Sequence, residues 1–284
     1  MVWLRKRASH GALGLAAFLM LGMAAAAQEA PAAGNGKETE NEALAKHRLE
    51  ELTRAAARYQ IVHESAGDLV LRPGPALRWS NPLRKTEDGA VFLWLAGGRP
   101  EVIASFYRYG PKGELQEDHE FQSLATGALT MRLDGRTVWA PRAPGLTLMP
   151  VPDAPIPAAT APERLRQMRA LAREFHAFFD GETDKTELRL LTQPLYRYES
   201  KGREVLDGAL FAFVQTTDPE VLLAIEERPG PGGAPAWHYG FARMSMVFLK
   251  AKHKDRDVWR ADWAHDLDSP AQPYVTLPAV LPSH

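Results

Sequence analysis

The chain has 284 residues, 45% of them hydrophobic and 24% charged, the balance of an ordinary globular protein rather than of a disordered one. It contains no cysteine, which excludes disulfides, thiolate catalysis and cysteine-based zinc sites. Its 34 basic and 35 acidic residues give a net charge of −1, without the clustered basic face that a nucleic-acid partner requires.

In chain order, Arg5-Lys6-Arg7, the apolar run Gly11–Met23 and Ala25-Ala26-Ala27 ahead of Gln28 read as a secretory signal peptide over residues 1–27. The apolar run is shorter than the roughly 20 residues a membrane span needs, so no span is expected after cleavage. Cleavage removes three basic and no acidic residues, leaving 31 against 35, a net charge of −4. The expected destination is the periplasm or the cell exterior. Without disulfides, the exported chain must be held together by its core.

Residues 28–38 read as a flexible leader rich in Ala, Pro and Gly. Thr39 and Glu42 match a capping box, and the stripe Leu49, Leu52, Ala56, Tyr59 predicts a helix to about Tyr59. Short strand-like runs follow at about 68–72, 76–80, 90–96, 101–109, 115–125, 129–133 and 136–140, joined by turn-forming residues. Residues 141–162 hold seven prolines and cannot pair as a central strand. A second helix is predicted from Thr160, with Pro162 and Glu163 in its first turn, a stripe Leu165, Met168, Leu171, Phe175, Phe178, and a stop at Gly181. Strand-like runs then return at about 187–192, 194–199, 209–216, 220–228, 236–244, 246–252 and 257–262. The tail beyond Asp268 is again Pro-rich and reads as extended or disordered.

The order of these elements points to an internal repeat. Asp88-Gly89-Ala90-Val91-Phe92 and Pro100-Glu101-Val102 recur, with Val91 replaced by Leu210, as Asp207–Phe211 and Pro219–Val221, seven identities in fifteen positions at an offset of 119. Helix-stripe and strand-end positions match too, Leu52 with Leu171, and Trp139 with Trp259 one residue further on. The expected fold is therefore α+β, two tandem duplicated units, each one helix packed on a mainly antiparallel sheet. The units span 39–140 and 160–266, separated by a connector at 141–159 and followed by a tail at 267–284. Ala90–Leu95 and Val221–Ile225 are apolar without alternation, so both faces of those strands should be covered, one by the unit's own helix and the other by the sister unit. The two Asp-Gly pairs are expected to supply turn glycines with positive φ.

Candidate chemistry is sparse. There is no HExxH, GxSxG, Walker loop or SxxK match. His119 lies in Glu117-Asp118-His119-Glu120 and, with Glu120, is the candidate catalytic pair, set against a charged edge strand as the plainer reading. His238 is flanked by Trp237 and Tyr239 and reads as packed. Glu174 and His176, two apart on a predicted helix, point in different directions. His253, Asp255, Asp257, Asp262, His265, Asp266 and Asp268 lack the spacing of a cation loop and contain opposing Lys254 and Arg256, so no metal is expected. Gly230–Gly233 reads as a hairpin loop. Trp263, which has no counterpart in the repeat, is the candidate ligand-binding residue. No cofactor is expected. The partner would be a small molecule, a glycan or a protein. The reading is an exported, non-enzymatic binding or scaffold protein, with a hydrolase using His119 and Glu120 at the junction of the units as the alternative.

Overall fold

The computed structural model of the protein describes residues 34–110, 115–180, 185–200, 202, 204–264 and 269–279. The predicted signal segment, most of the predicted leader, Gly181 and the end of the tail lie outside them. The chain divides into two compact units, Met1–Asn41 and Glu42–His284. Of the first, only the opening of a helix is described; the sheets and cores all belong to the second.

Helix α1 (Gly34–Ala56) leads into β1 (Tyr59–His63), β2 (Gly67–Asp68), β3 (Val70–Leu71) and β4 (Leu77–Asn81). Next come β5 (Thr86–Ala96), β6 (Arg99–Tyr109), β7 (Gln116–Ser123), β8 (Leu129–Leu133) and β9 (Arg136–Trp139). The two-residue β10 (Met149–Pro150) precedes α2 (Ala161–Ala172), β11 (Phe175–Asp180), β12 (Lys185–Leu190) and β13 (Tyr196–Ser200). The chain continues with β14 (Val205–Gln215), β15 (Asp218–Pro229), β16 (Pro235–Arg243), β17 (Leu249–His253), β18 (Arg256–Ala261) and β19 (Tyr274–Ala279).

These strands form three sheets. One has the order β2-β1-β8-β9, the second β19-β7-β6-β5-β3 with β4 also on β5. The third runs β10-β16-β15-β14-β12-β11-β17-β18 with β13 also on β14, nine strands in all. One sheet curves into a half-barrel.

The expected α+β fold of two tandem helix-on-sheet units is corrected by this architecture. Among the described residues strands make up 54% and helical residues 15%, with two α-helices, so the described fold is mostly β. The predicted second helix overran: it ends at Ala172, and Phe175, Ala177 and Phe179 alternate into the core from strand β11. Phe175 and Phe178 are three apart, which imitates a helical stripe, but β11 is paired on both sides, to β12 and to β17. Tyr59 likewise belongs to β1 and not to the preceding helix. Thr39 lies within α1, which starts at Gly34. Thr160 does stand at the N-cap of α2, but its hydroxyl donates to Glu163, 2.6 Å away, instead of accepting from the first turn. The tail is not loose over its described length, because β19 pairs in register with β7 from Tyr274↔Gln122 to Ala279↔Glu117.

The sheet organisation differs between the two halves. Strand β12 switches partners along its length, pairing with β11 at Lys185–Leu188 and with β14 at Arg189–Leu190, and so joins the third sheet into one. In the first half the corresponding stretch is broken at Leu69, leaving β2 on β1 and β3 on β5 in separate sheets.

The apolar runs divide between three cores by strand alternation. Ala90, Phe92 and Trp94 join Leu52 and Ala56 of α1, Ile61, Met131 and Trp139 in one core. Val221, Leu223 and Ile225 join Met168 and Leu171 of α2, Phe175 and Trp237 in another. The opposite faces meet each other: Val91, Leu93 and Ile103 pack with Leu210, Ala212, Leu222 and Ala224 in a third core between the second and third sheets. Both faces of the central strands are dry, which removes the need for alternation. Hairpin tips lock this junction. The Ser80 amide donates to Thr217 Oγ1 at 2.9 Å, and the hydroxyls of Thr216 and Thr217 donate to Ser80 O at 3.0 and 2.9 Å.

The Asp-Gly pairs are not turns. Gly89 and Gly208 lie within β5 and β14, and neither has positive φ. A Cβ on Gly89 would sit 2.2 Å from the Trp79 ring, and one on Gly208 would sit 2.5 Å from the Tyr198 ring. Glycine is needed here so that an aromatic ring on the neighbouring strand can cross the backbone. Each preceding aspartate docks a helix. Asp88 accepts from Arg48 of α1 at 2.7 Å and from Arg78 of β4 at 2.9 Å. Asp207 accepts from Arg164 of α2 at 2.9 Å and from Arg197 of β13 at 2.5 and 2.9 Å. Pro100 and Pro219 stand one residue inside their strands, each beside a β-bulge in the partner, where a missing N–H is tolerated.

Candidate functional site

A cavity of about 420 Å³ opens where the second and third sheets meet. Its wall includes Gln122 of β7, Arg243 at the end of β16, Trp259 of β18, Trp263 just beyond it, and Tyr274 at the start of β19. The sequence candidate Trp263 is 44% exposed and lines this opening. Trp259 stacks on Phe241, with centroids 5.6 Å apart and planes 28° apart. The segment that brings Tyr274 to the wall is fixed by three bonds from the rest of the fold: the Ala140 amide donates to Pro270 O at 2.6 Å, Trp139 Nε1–H to Gln272 O at 2.8 Å, and the Ser123 amide to Pro273 O at 2.8 Å.

Arg243 is held by three backbone carbonyls. Its Nε donates to Ser245 O, Nη1 to Asp262 O and Nη2 to Val247 O, each at 2.7 Å. Its guanidinium carbon lies 5.0 Å from the centre of the Tyr274 ring, a cation–π contact. Burial lowers its pKa, against the opposing influence of Tyr274, Glu120 and Asp262. Gln122 spends its amide hydrogens on Ser123 O at 2.7 Å and Gly145 O at 3.4 Å, leaving its side-chain oxygen as an acceptor.

Behind this wall lie three buried carboxyl groups. The Tyr274 hydroxyl donates to Glu120. Burial raises the pKa of Glu120, and Asp218 and Glu220 push it further against the opposing Tyr274 bond and Arg84. Asp218 accepts from Asn81 Nδ2 at 3.0 Å, and Arg84 lies 3.6 Å from Asp218 and 3.0 Å from Glu220. Burial raises both acids, and Glu220 is raised further by Asp218. One arginine cannot neutralise three acids, so protonation is favoured.

His119 and Glu120 do not share a site. Adjacent residues of a strand point to opposite faces, and β7 obeys this. His119 turns into the α1-side core, stacked on Phe106 with centroids 3.8 Å apart. Its Nδ1 is 2.7 Å from the Tyr59 hydroxyl and its Nε2 is 2.9 Å from Glu117 Oε1. Arg108 donates to Glu117 at 2.5 Å and to Glu51 at 2.8 Å. Burial acts to raise Glu117, but His119 and Arg108 outweigh it and its pKa is lowered. An ionised Glu117 only accepts, which suits Nε2–H donating to it and Nδ1 accepting from Tyr59. The chain Tyr59–His119–Glu117–Arg108–Glu51 ties α1 to the sheet, and both His119 and Glu117 are buried. His119 is neither on an exposed edge nor on the cavity wall.

The other sequence candidates are placed elsewhere. His238 is half-buried on β16, with Nδ1 3.3 Å from Ala236 O. Glu174 Oε2 is 3.0 Å from His253 Nε2, and His176 pairs separately with Glu187 at 2.8 Å. His253–Asp257 forms the hairpin turn from β17 to β18, and Asp257 pairs with Lys250 at 3.0 Å. His265, Asp266 and Asp268 lie outside the described residues. Among the described residues, no three His, Asp or Glu side chains converge as metal ligands would. None of the described helices is long and apolar enough to cross a membrane.

Sequence reasoning missed Arg243, Tyr274 and Gln122. The only signal for the site was the unmatched Trp263. No family model, curated protein or solved structure matches this chain.

Proposed function

We propose that the protein is an exported, non-enzymatic binding protein that holds a small organic molecule in the cavity beside Trp263. The observation that carries this reading is the cavity itself, about 420 Å³ and walled by Trp259, Trp263 and Tyr274 around a fixed arginine. Concave sites with aromatic walls and a few placed polar groups are where small ligands bind. The hydrolase alternative gains nothing from the geometry, since His119 and Glu120 face different cores. Export rests on the basic, apolar and small-residue pattern of residues 1–27.

Mass spectrometry of protein isolated from its native compartment tests both parts. The expected result is a mature N-terminus at Gln28 and a small molecule that co-purifies with wild type but not with Trp263→Ala. An N-terminus at Met1 would overturn export. A co-purifying molecule retained in full by Trp263→Ala, or bound elsewhere, would overturn the assignment of the cavity.

A further inference from the structure

The ligand's chemistry can be read from the charge on the cavity wall. We infer that the cavity selects an anion, a carboxylate carried on a flat or ring-shaped organic body, through Arg243. This deepens the binding reading above and depends on it.

Arg243 is an unbalanced cation. A guanidinium has five N–H donors, and three of those on Arg243 go to the carbonyls of Ser245, Val247 and Asp262. Carbonyl dipoles fix the group in place without cancelling its charge. Among the described residues, no carboxylate lies within ion-pair distance of Arg243, although Arg84, Arg99, Arg108 and Arg164 each have one or two. The acids that act on Arg243 from around it are otherwise engaged. Glu120 accepts from Tyr274, and the Asp262 carboxylate accepts from Arg260. The face of the Tyr274 ring supplies a partial counter-charge at 5.0 Å.

Arg243 is half-buried, and a charge drawn out of water in this way is ordinarily paired. Arg243 lines the cavity with two N–H groups uncommitted, and a planar fork of this kind matches a carboxylate. Because the carbonyls already immobilise it, little side-chain ordering is lost when a ligand arrives. Trp259 and Trp263 line the same cavity and give it aromatic surface for the rest of the ligand. A neutral ligand would leave the half-buried cation unpaired, and a cationic ligand would be repelled.

The test is a titration of the full mature chain, labelled with nitrogen-15, observing the Arg243 Nε–H and Trp263 indole N–H resonances. Four probes are used as two matched pairs: benzoate with benzamide, and glucuronate with glucose, at about pH 7 where both acids are ionised. The expected result is that the acid of at least one pair shifts both resonances and binds about tenfold or more tightly than its neutral mate, with affinity falling as salt is added. Equal binding of acid and amide, or of uronate and sugar, overturns the anion assignment while leaving the cavity a binding site. Neither acid shifting either resonance at about 10 mM also overturns the assignment, because weaker binding than this is not selection; the co-purification experiment then decides separately whether the cavity binds at all. Arg243→Lys keeps the charge but loses the fork, and should weaken the acid about tenfold. If that variant fails to fold, the paired titration of wild type decides alone.

Discussion

Two strands open with the same pattern and opposite charge. Arg99-Pro100-Glu101 begins β6 and Asp218-Pro219-Glu220 begins β15, and both bury their charged groups at the junction of the second and third sheets. At the first end Arg99 bridges Glu101 at 3.0 Å and Glu226 at 2.9 Å, Arg228 reaches Glu226 at 2.8 Å, and the Tyr198 hydroxyl donates to Glu226 at 2.8 Å. Among the described residues, two cations meet two anions here. Burial acts to raise Glu226, but Arg99, Tyr198 and Arg228 outweigh it and its pKa is lowered. At the second end the arginine is replaced by Asp218, and among the described residues Arg84 is the cation within ion-pair distance of Asp218 and Glu220, with Glu120 nearby. There burial wins and the carboxyl pKa values rise. Burial is comparable at the two ends; the count of partners sets the direction. The balanced end behaves as a structural lock. The acid-rich end stands behind the cavity.

Removing one partner from the balanced end should have the largest effect on stability. Arg99→Ala takes from Glu101 and Glu226 the guanidinium that bridges them in a dry junction. The expected loss is about 3–5 kcal/mol in chemical denaturation, since the uncompensated charge dominates. A loss below about 1 kcal/mol would mean that water reaches this end and that the contrast between the two ends is false.

The glycines under the aromatic rings come next. Gly89→Ala pushes a methyl group into Trp79, and Gly208→Ala into Tyr198. Each should destabilise by about 1–3 kcal/mol through overpacking. Gly89→Ala combined with Trp79→Ala should lose less than the sum of the two single changes, because the collision is then absent. Additive losses would point instead to backbone strain.

The acid-rich end should respond in the opposite sense to the balanced one. Glu220→Gln removes a carboxyl group that the junction disfavours when ionised, and should raise stability by about 1 kcal/mol above neutral pH. The pH dependence follows the same signs. For Glu120, Asp218 and Glu220 the folded pKa lies above the unfolded one, so their contribution is complete at acid pH and is lost as pH rises through the ordinary carboxylate range and past neutrality. For Glu226 and Glu117 the folded pKa is lowered, so their contribution is present near neutrality and lost as pH falls through the carboxylate range. Stability should therefore peak at weakly acid pH and decline on both sides. In Glu220→Gln the decline from about pH 6 to about pH 9 should flatten. An unchanged alkaline limb would show that Glu220 is ionised in the folded protein and fully offset by Arg84.

The positions of many strands were legible in the sequence, since continuous apolar runs such as Ala90–Leu95, bounded by turn residues, suit strands covered on both faces; how the strands pair into three sheets was not. The helix overrun at Phe175 arose because two phenylalanines three apart satisfy a helical stripe as well as they fill a strand, and the choice was made by pairing to β17, some 75 residues away. The role of Gly89 was misread because a glycine after an aspartate is the usual mark of a turn; the ring that requires it belongs to Trp79 on another strand. His119 and Glu120 were joined because they are neighbours in sequence, although strand periodicity alone would have separated them. Arg243 could not be found at all. Its significance is that no carboxylate among the described residues lies within ion-pair distance of it, and pairing between distant residues has no sequence signature.

The smallest expected effect on stability belongs to Trp263, and it separates the two ends by function. Trp263 is 44% exposed at the rim of the cavity, whereas Trp94, Trp139 and Trp237 are each no more than 1% exposed and anchor the cores. Truncating a half-exposed rim residue should shift stability by about 0.5 kcal/mol or less, while Trp237→Ala should cost about 3–5 kcal/mol. Binding should show the reverse pattern, with Trp263→Ala losing the cavity's ligand at nearly unchanged melting temperature. Melting curves of the two variants, taken with the titration of the carboxylate probes, measure both quantities on one set of proteins. If Trp263→Ala unfolds as readily as Trp237→Ala, the indole is a structural prop that the cavity merely exposes, and the aromatic wall of the proposed site would be reduced to Trp259 and Tyr274.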